Sequence, residues 1–180
     1  MKNEEYRMKT KTLGSAALAG LLLVLAGCAA TKPDVDASHA NDSTLRTTLK
    51  QGVAEPTIDA NGKEVSAAVK ARLIEAFDKQ AAKDGIAVSP TGVPVSITIE
   101  EYSKRSTAAR IMLGVMAGRD HIKAQVKLLD ASYQVEDSAH STVNGIGVVA
   151  EDVGIEAANG VAELAGVPIP TEQTTASSRQ

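Results

Sequence analysis

The chain predicts an α+β fold: a small, mostly antiparallel sheet with two helices packed on one face, in the order strand, helix, strands, helix. Three patterns carry this reading. Val65, Val69, Leu73, Phe77 and Ala81 recur every four residues, the spacing that lines one side of a helix. Val93, Val95, Ile97 and Ile99 alternate with Ser96, Thr98 and Glu100, and Ile122, Ala124, Val126 and Leu128 alternate with Lys123, Gln125 and Lys127. That two-residue period belongs to strands with one apolar and one polar face. A second helical stripe follows in Val149, Val153, Ala157, Val161 and Leu164 or Ala165. One-sided strands suit an antiparallel sheet whose apolar face is covered by helices.

Taken in order, a weak strand is expected from about Val53 to Ile58. A helix from Glu64 to Lys83 follows, with Asn61 and Glu64 spaced as a capping box and Gly85 placed where a helix-ending glycine belongs. Ile86 to Val88 offers a further short strand. After the two alternating segments, a turn at Asp130 to Ser132 leads into a third strand, Tyr133 to Val143. The last helix runs from Val148 to Ala165, and Glu151, Asp152, Glu156 and Glu163 make its exposed side acidic.

The flanks have a different character. Residues 29–50 are mostly polar and lack periodicity, which suits a tether over 28–50. Pro168-Ile169-Pro170 stops regular structure, so 167–180 is expected to be a disordered tail. One domain over 51–166 remains, with no internal repeat. Its core must come from Val, Ile, Leu and Ala, since Phe77, Tyr102 and Tyr133 are the aromatic residues after position 27.

The amino-terminal segment has three parts. Lys2, Arg7, Lys9 and Lys11 give a cationic start, residues 13–26 are mostly apolar, and Leu25-Ala26-Gly27-Cys28 closes the run. The apolar run is short for a spanning helix, which needs roughly 20 such residues, and it fits a cleaved signal over residues 1–27. The closing tetrapeptide resembles the bacterial lipobox. That resemblance implies diacylglycerol on the Cys28 sulfur, cleavage before it and acylation of the new amine. Multiple chains hold firmly, at about 0.8 kcal/mol per buried methylene. In the resembling lipoproteins Asp after the cysteine favours the inner membrane; Ala29 here implies the outer membrane, on its periplasmic face. Cys28 is the only cysteine. Once acylated, it leaves no thiol for a disulfide within the chain.

Residues 1–27 hold four of the 19 Lys and Arg and two of the 22 Asp and Glu, which leaves the remainder with a net charge of −5. That balance disfavours nucleic acid. Gly145-Ile146-Gly147-Val148-Val149-Ala150 fits a dinucleotide fingerprint, but no further parallel strand is expected after the helix, and Glu151 and Asp152 occupy the end a phosphate would use. His39, His121 and His140 lack metal-ligand spacing. A hydrolase using Ser138, His140 or Asp120 lacks a third orienting group, because neighbours in a strand point to opposite faces. No metal or other cofactor is expected, and the chain is read as non-enzymatic.

The most distinctive stretch lies between two strands: Lys104-Arg105-Ser106-Thr107-Ala108-Ala109-Arg110-Ile111-Met112-Leu113-Gly114-Val115-Met116-Ala117-Gly118-Arg119-Asp120. It resembles a family of uncharacterised bacterial lipoproteins of unknown function, in which an Arg, a glycine-containing apolar segment and an Ala-Gly-Arg turn precede a strand ending in Leu-x-Asp. Arg110, Gly114, Ala117, Gly118, Arg119 and Leu128-Leu129-Asp130 match, and the similarity continues through Gly145 into the last helix. Ala131-Ser132 stands where the family has Thr-Gly. The layout is also similar to periplasmic domains of lipoproteins that support envelope machines, including curli secretion factors and penicillin-binding-protein activators.

Two readings of this stretch compete. In one, Ile111 to Ala117 closes an end of the core. In the other, Arg110, Ile111, Met112, Leu113, Gly114, Met116, Gly118 and Arg119 form an apolar apex with a basic collar, made for a partner protein, another copy of the chain or a lipid surface. The function expected is that of an outer-membrane lipoprotein held to the bilayer through acylated Cys28 and acting as an accessory or protein-interaction module, by way of an envelope partner or self-association. The alternative is a periplasmic lipoprotein binding a small ligand or glycan. Mass spectrometry of the native protein is expected to find an acylated Cys28 at the amino end; an unprocessed, lipid-free end would remove the anchor.

Overall fold

In a computed structural model, which describes residues 41–113, 116, 118–139 and 145–169 together with Pro33, Val35, Asp36 and His39, the first element is a helix inside the segment expected to be tether. Asp42 caps it: its carboxylate accepts from the backbone N–H groups of Thr44 and Leu45 at 2.7 and 3.2 Å. Leu45 and Leu49, four residues apart on this helix α1 (Ser43–Leu49), are both buried. Pro33 is buried and Val35 packs on the core. The folded unit thus begins well before residue 51, because the two leucines find an apolar face to cover. At the other end Val167 and Ile169 also pack against the core, inside the expected tail. Residues 1–32, with the signal and Cys28, and 170–180 lie outside the described residues.

The sheet is mixed. Its order is β1 (Thr57–Asp59), β2 (Ser96–Ser103), β3 (Asp120–Leu128), β4 (Ala131–Ala139). β2, β3 and β4 are antiparallel neighbours, but β1 pairs with β2 in parallel, with Thr57 opposite Ser96. The α+β class holds and the mostly antiparallel expectation is corrected at this edge. The cause is helix α2 (Ala67–Lys83): its 17 residues carry the chain about 25 Å back, so β2 starts from the same end as β1. Val53 contributes isolated parallel bridges to Val88 and Val93 in place of longer strands.

Local chemistry sets the element ends. The cap of α2 is Ser66, whose Oγ accepts from the N–H of Val69, while Asn61 sits at φ +49° in the preceding turn. The capping box proposed from Asn61 and Glu64 therefore falls one turn too early. Gly85 ends α2 at φ +78°, as expected. The β3–β4 hairpin turns on Leu129 and Asp130, ahead of the expected Asp130 to Ser132, with Leu129 at φ +51°. In β2 a bulge between Ile99 and Glu101 inserts one residue, so Tyr102 faces Ile122 across the ladder.

Ile97, Ile99, Ile122, Ala124, Val126, Leu128, Tyr133 and Val135 line the covered face of the sheet. Helix α4 (Ile146–Leu164) packs on β3 and β4 of that face and also against α2. Held on both sides, it is buried along most of its length and needs small residues. At Gly154 an added Cβ would come 2.4 Å from the Leu73 carbonyl oxygen, and at Gly160 it would come 2.3 Å from the Tyr133 ring. Tyr133 uses its polar tip as well: its hydroxyl donates to the Ala157 carbonyl at 2.5 Å. Gln80 of α2 donates to Asn159 of α4 at 3.0 Å, which satisfies a buried amide between the helices.

Gly154→Ala is expected to destabilise the chain by about 2–3 kcal/mol, since backbone must move to admit the methyl. Gly147→Ala, whose Cβ would meet only Arg72 at 3.5 Å, is expected to be neutral or to stabilise by up to about 1 kcal/mol. Thermal or denaturant melts distinguish the two.

Candidate interaction surface at the apex

β2 leaves the sheet at Ser103 and β3 re-enters it at Asp120, and the two ends are joined by a buried ion pair. The backbone N–H of Arg105 donates to Asp120 Oδ1 at 2.7 Å, and its guanidinium reaches Oδ2 through Nη2 at 3.1 Å and Nε at 3.4 Å. The same guanidinium donates to the Gly118 carbonyl at 3.3 Å and the Ala139 carbonyl at 3.0 Å. One planar fork thus ties together the end of β2, the loop before β3, the first residue of β3 and the last residue of β4. Both side chains are buried. The Ser103 hydroxyl adds a bond to the Arg119 carbonyl at 3.4 Å.

Above this clamp stands the short helix α3 (Thr107–Leu113). Ile111 is 79% exposed, Met112 82%, Leu113 58% and, beyond the helix, Met116 87%. These side chains do not close the core. Each forgoes about 1.5–3 kcal/mol of burial in solvent, which marks the group as an exposed apolar patch. Lys104 and Arg119 are exposed at its base, and Gly118 turns the chain at φ +85°. Gly114 and the side chain of Arg110 lie outside the described residues.

Below the apex, the uncovered face of the sheet carries His121 between two glutamates. Its Nε2 is 3.3 Å from Glu101 Oε2 and its Nδ1 is 3.8 Å from Glu136 Oε1, so one imidazole spans β2, β3 and β4. Ser103 and Ser138 are its cross-strand neighbours. The Asp120 carboxylate, one residue away, points into the Arg105 clamp and is not available to His121 as an orienting group. His140 lies outside the described residues. Gly145 and Gly147 form the start of α4, and among the described residues no further parallel strand follows that helix, as a dinucleotide pattern would need. Among the described residues, no group of three or more His, Cys, Asp or Glu is placed to hold a metal ion, and no helix is long and apolar enough to cross a membrane.

A family profile for a domain of unknown function matches residues 30–167, more than half of the chain. The chain belongs to the DUF4410 family. This agrees with the resemblance to an uncharacterised family; the Leu25 to Cys28 motif precedes the matched residues. No curated protein matches the chain. Among the solved structures similar to it at low identity are two PelC assemblies. One is a variant PelC dodecamer from Paraburkholderia phytofirmans, 16% identical, covering 63% of this chain and 85% of that one with a TM-score of 0.45. The other is a PelC dodecamer from the same organism in a second crystal form, 15% identical, covering 63% and 86% with a TM-score of 0.44.

The DUF4410 domain also holds acidic groups that the periodicity of α4 assigned to solvent. Glu156 is buried, and its Oε2 accepts from the backbone N–H of Glu136 on the edge strand β4 at 3.1 Å. Burial, with Asp137 and Glu136 nearby, pushes its carboxyl up to about 7. Burial likewise pushes Asp152 up to about 6, helped by Asp137 and Glu151. Asp137 itself is raised, chiefly by burial. Neither the Arg105 clamp nor this acidic group shows in the sequence pattern, because charge spacing does not distinguish a buried partner from a solvated one.

Both carboxyls bind a proton more tightly folded than unfolded. The stability they contribute is therefore complete below the ordinary carboxylate range and lost as pH rises through about 6 and about 7. The melting temperature of the DUF4410 domain is expected to fall between about pH 5 and about pH 8, and Glu156→Gln, which keeps an acceptor for the Glu136 N–H, to flatten the upper part of that fall. Arg105→Ala is expected to cost about 3–5 kcal/mol by removing the guanidinium that balances the buried Asp120 charge. Amide exchange should rise first across residues 104–119.

Proposed function

We propose that this protein is a non-catalytic accessory lipoprotein of the bacterial outer membrane, held on the periplasmic face through acylated Cys28, and that it works by docking an envelope protein at the 111–116 apex. The observation that carries the reading is the exposure of four large apolar side chains on a segment braced from below by the buried Arg105–Asp120 pair. The pair sets where this segment leaves and rejoins the sheet, which limits where the patch can stand relative to the domain. Ile111, Met112, Leu113 and Met116 are also the right chemistry: bulky, apolar and, for the methionines, able to adapt to a partner's shape. The Leu25-Ala26-Gly27-Cys28 motif supports the anchor, and membership of a family of unknown function leaves the role open to this reading.

Photo-crosslinkers placed singly at residues 110–119 in cells are expected to capture one envelope protein, with yield concentrated at 111, 112, 113 and 116. Met112→Glu should abolish that product while the far-ultraviolet spectrum and melting temperature stay unchanged. Unaltered cross-links and phenotype in well-folded Met112→Glu protein would overturn the proposal.

A further inference from the structure

The apex and helix α1 lie at opposite poles of the domain. β2 runs from Ser96 toward the apex and β3 runs back from Asp120 to Leu128, so the Leu129-Asp130 turn marks the far pole. β1 is parallel to β2 with Thr57 opposite Ser96, which puts the residues before Thr57 at that far pole. Helix α1 comes just before them, and its Arg46 lies against Gly166, past the end of α4. Before α1, the N–H groups of Val35, His39 and Asp42 donate to the carbonyls of Pro33, Asp36 and His39.

Resting on the lipid anchor and apical docking proposed above, we infer that the apex takes an apolar protein segment rimmed by acidic side chains, presented on a partner that stands away from the anchoring bilayer. Helix α1, the first described helix after Cys28, stands at the pole opposite the apex, which turns the apex away from that bilayer. Lys104 and Arg119 at the base of the patch set the sign of the rim. They also disfavour a second copy docked apex to apex, which would bring like charges together around the apolar contact.

The test uses the full lipidated chain in proteoliposomes. Since acylation consumes Cys28, Lys50→Cys and Met116→Cys each give a single thiol for a fluorophore, read against a lipid-borne nitroxide quencher. Quenching at position 50 and none at 116 is expected; equal quenching at both would make the lipid surface the occupant and overturn the inference. Two synthetic helical peptides with the same leucine stripe, one flanked by Glu and one by Lys, are then titrated by fluorescence anisotropy. The Glu-flanked peptide should bind at least about tenfold more tightly, Met112→Glu should weaken it about tenfold or more, and Arg119→Glu should shift the preference toward the Lys-flanked peptide. Equal binding of the two peptides, or a dimer that Met112→Glu abolishes, would also overturn the inference. A lipid-free Cys28 in the native protein would sink the anchor reading while leaving the peptide preference intact, so the two failures are distinguishable.

Discussion

A guanidinium and a carboxylate, both out of reach of water, hold the pole of the sheet at which three strands end. The Arg105–Asp120 pair is costly to desolvate, and an apolar pair of the same volume would avoid that cost. What it supplies is geometry. An apolar contact at this place could cover the strand ends but could not satisfy the carbonyls of Gly118 and Ala139 or the backbone N–H of Arg105, whereas the Arg105 fork and the Asp120 oxygens do all three. The strand ends are thereby fixed relative to one another, and with them the points at which the segment carrying α3 and Met116 leaves and rejoins the sheet.

The opposite constraint governs the middle of the domain, where nothing polar is needed and small size is. α4 is squeezed between α2 and the sheet, and the Leu73 carbonyl and the Tyr133 ring come so close that positions 154 and 160 have no room for a side chain. Small residues at these contacts let α2, α4 and the sheet close around a core with one phenylalanine. The same burial captures Glu156 and turns it from a surface acid into an acceptor for the open edge of β4. An edge strand that spends an N–H on a side chain of its own domain has one fewer to offer another strand.

Much of this is legible in the sequence. The α+β class, the two long helices, the alternating strands and the glycine that ends α2 all follow from local rules: apolar residues at a helical or strand period, and φ > 0 at Gly85. The apical stretch also stood out, as an apolar run with flanking arginines. Where the reading went astray, a longer-range contact overruled a local one. Ser43 to Leu49 is polar enough to pass for tether until Leu45 and Leu49 meet the core, and β1 shows itself as parallel only once α2 has brought the chain back across the sheet. The capping box at Asn61 had the right residues one turn too soon.

The candidate site divides in the same way. Which residues are apolar, basic or small at positions 104–120 is written in the chain, and so is the Cys28 motif on which the anchor proposal rests. That Ile111, Met112, Leu113 and Met116 face solvent, that Arg105 finds Asp120, and that the patch stands at the pole opposite α1 was decided by the tertiary structure. The reason is physical: periodicity reports which side chains prefer to be buried, while exposure, charge pairing and polarity of the whole domain depend on what the rest of the chain brings alongside them.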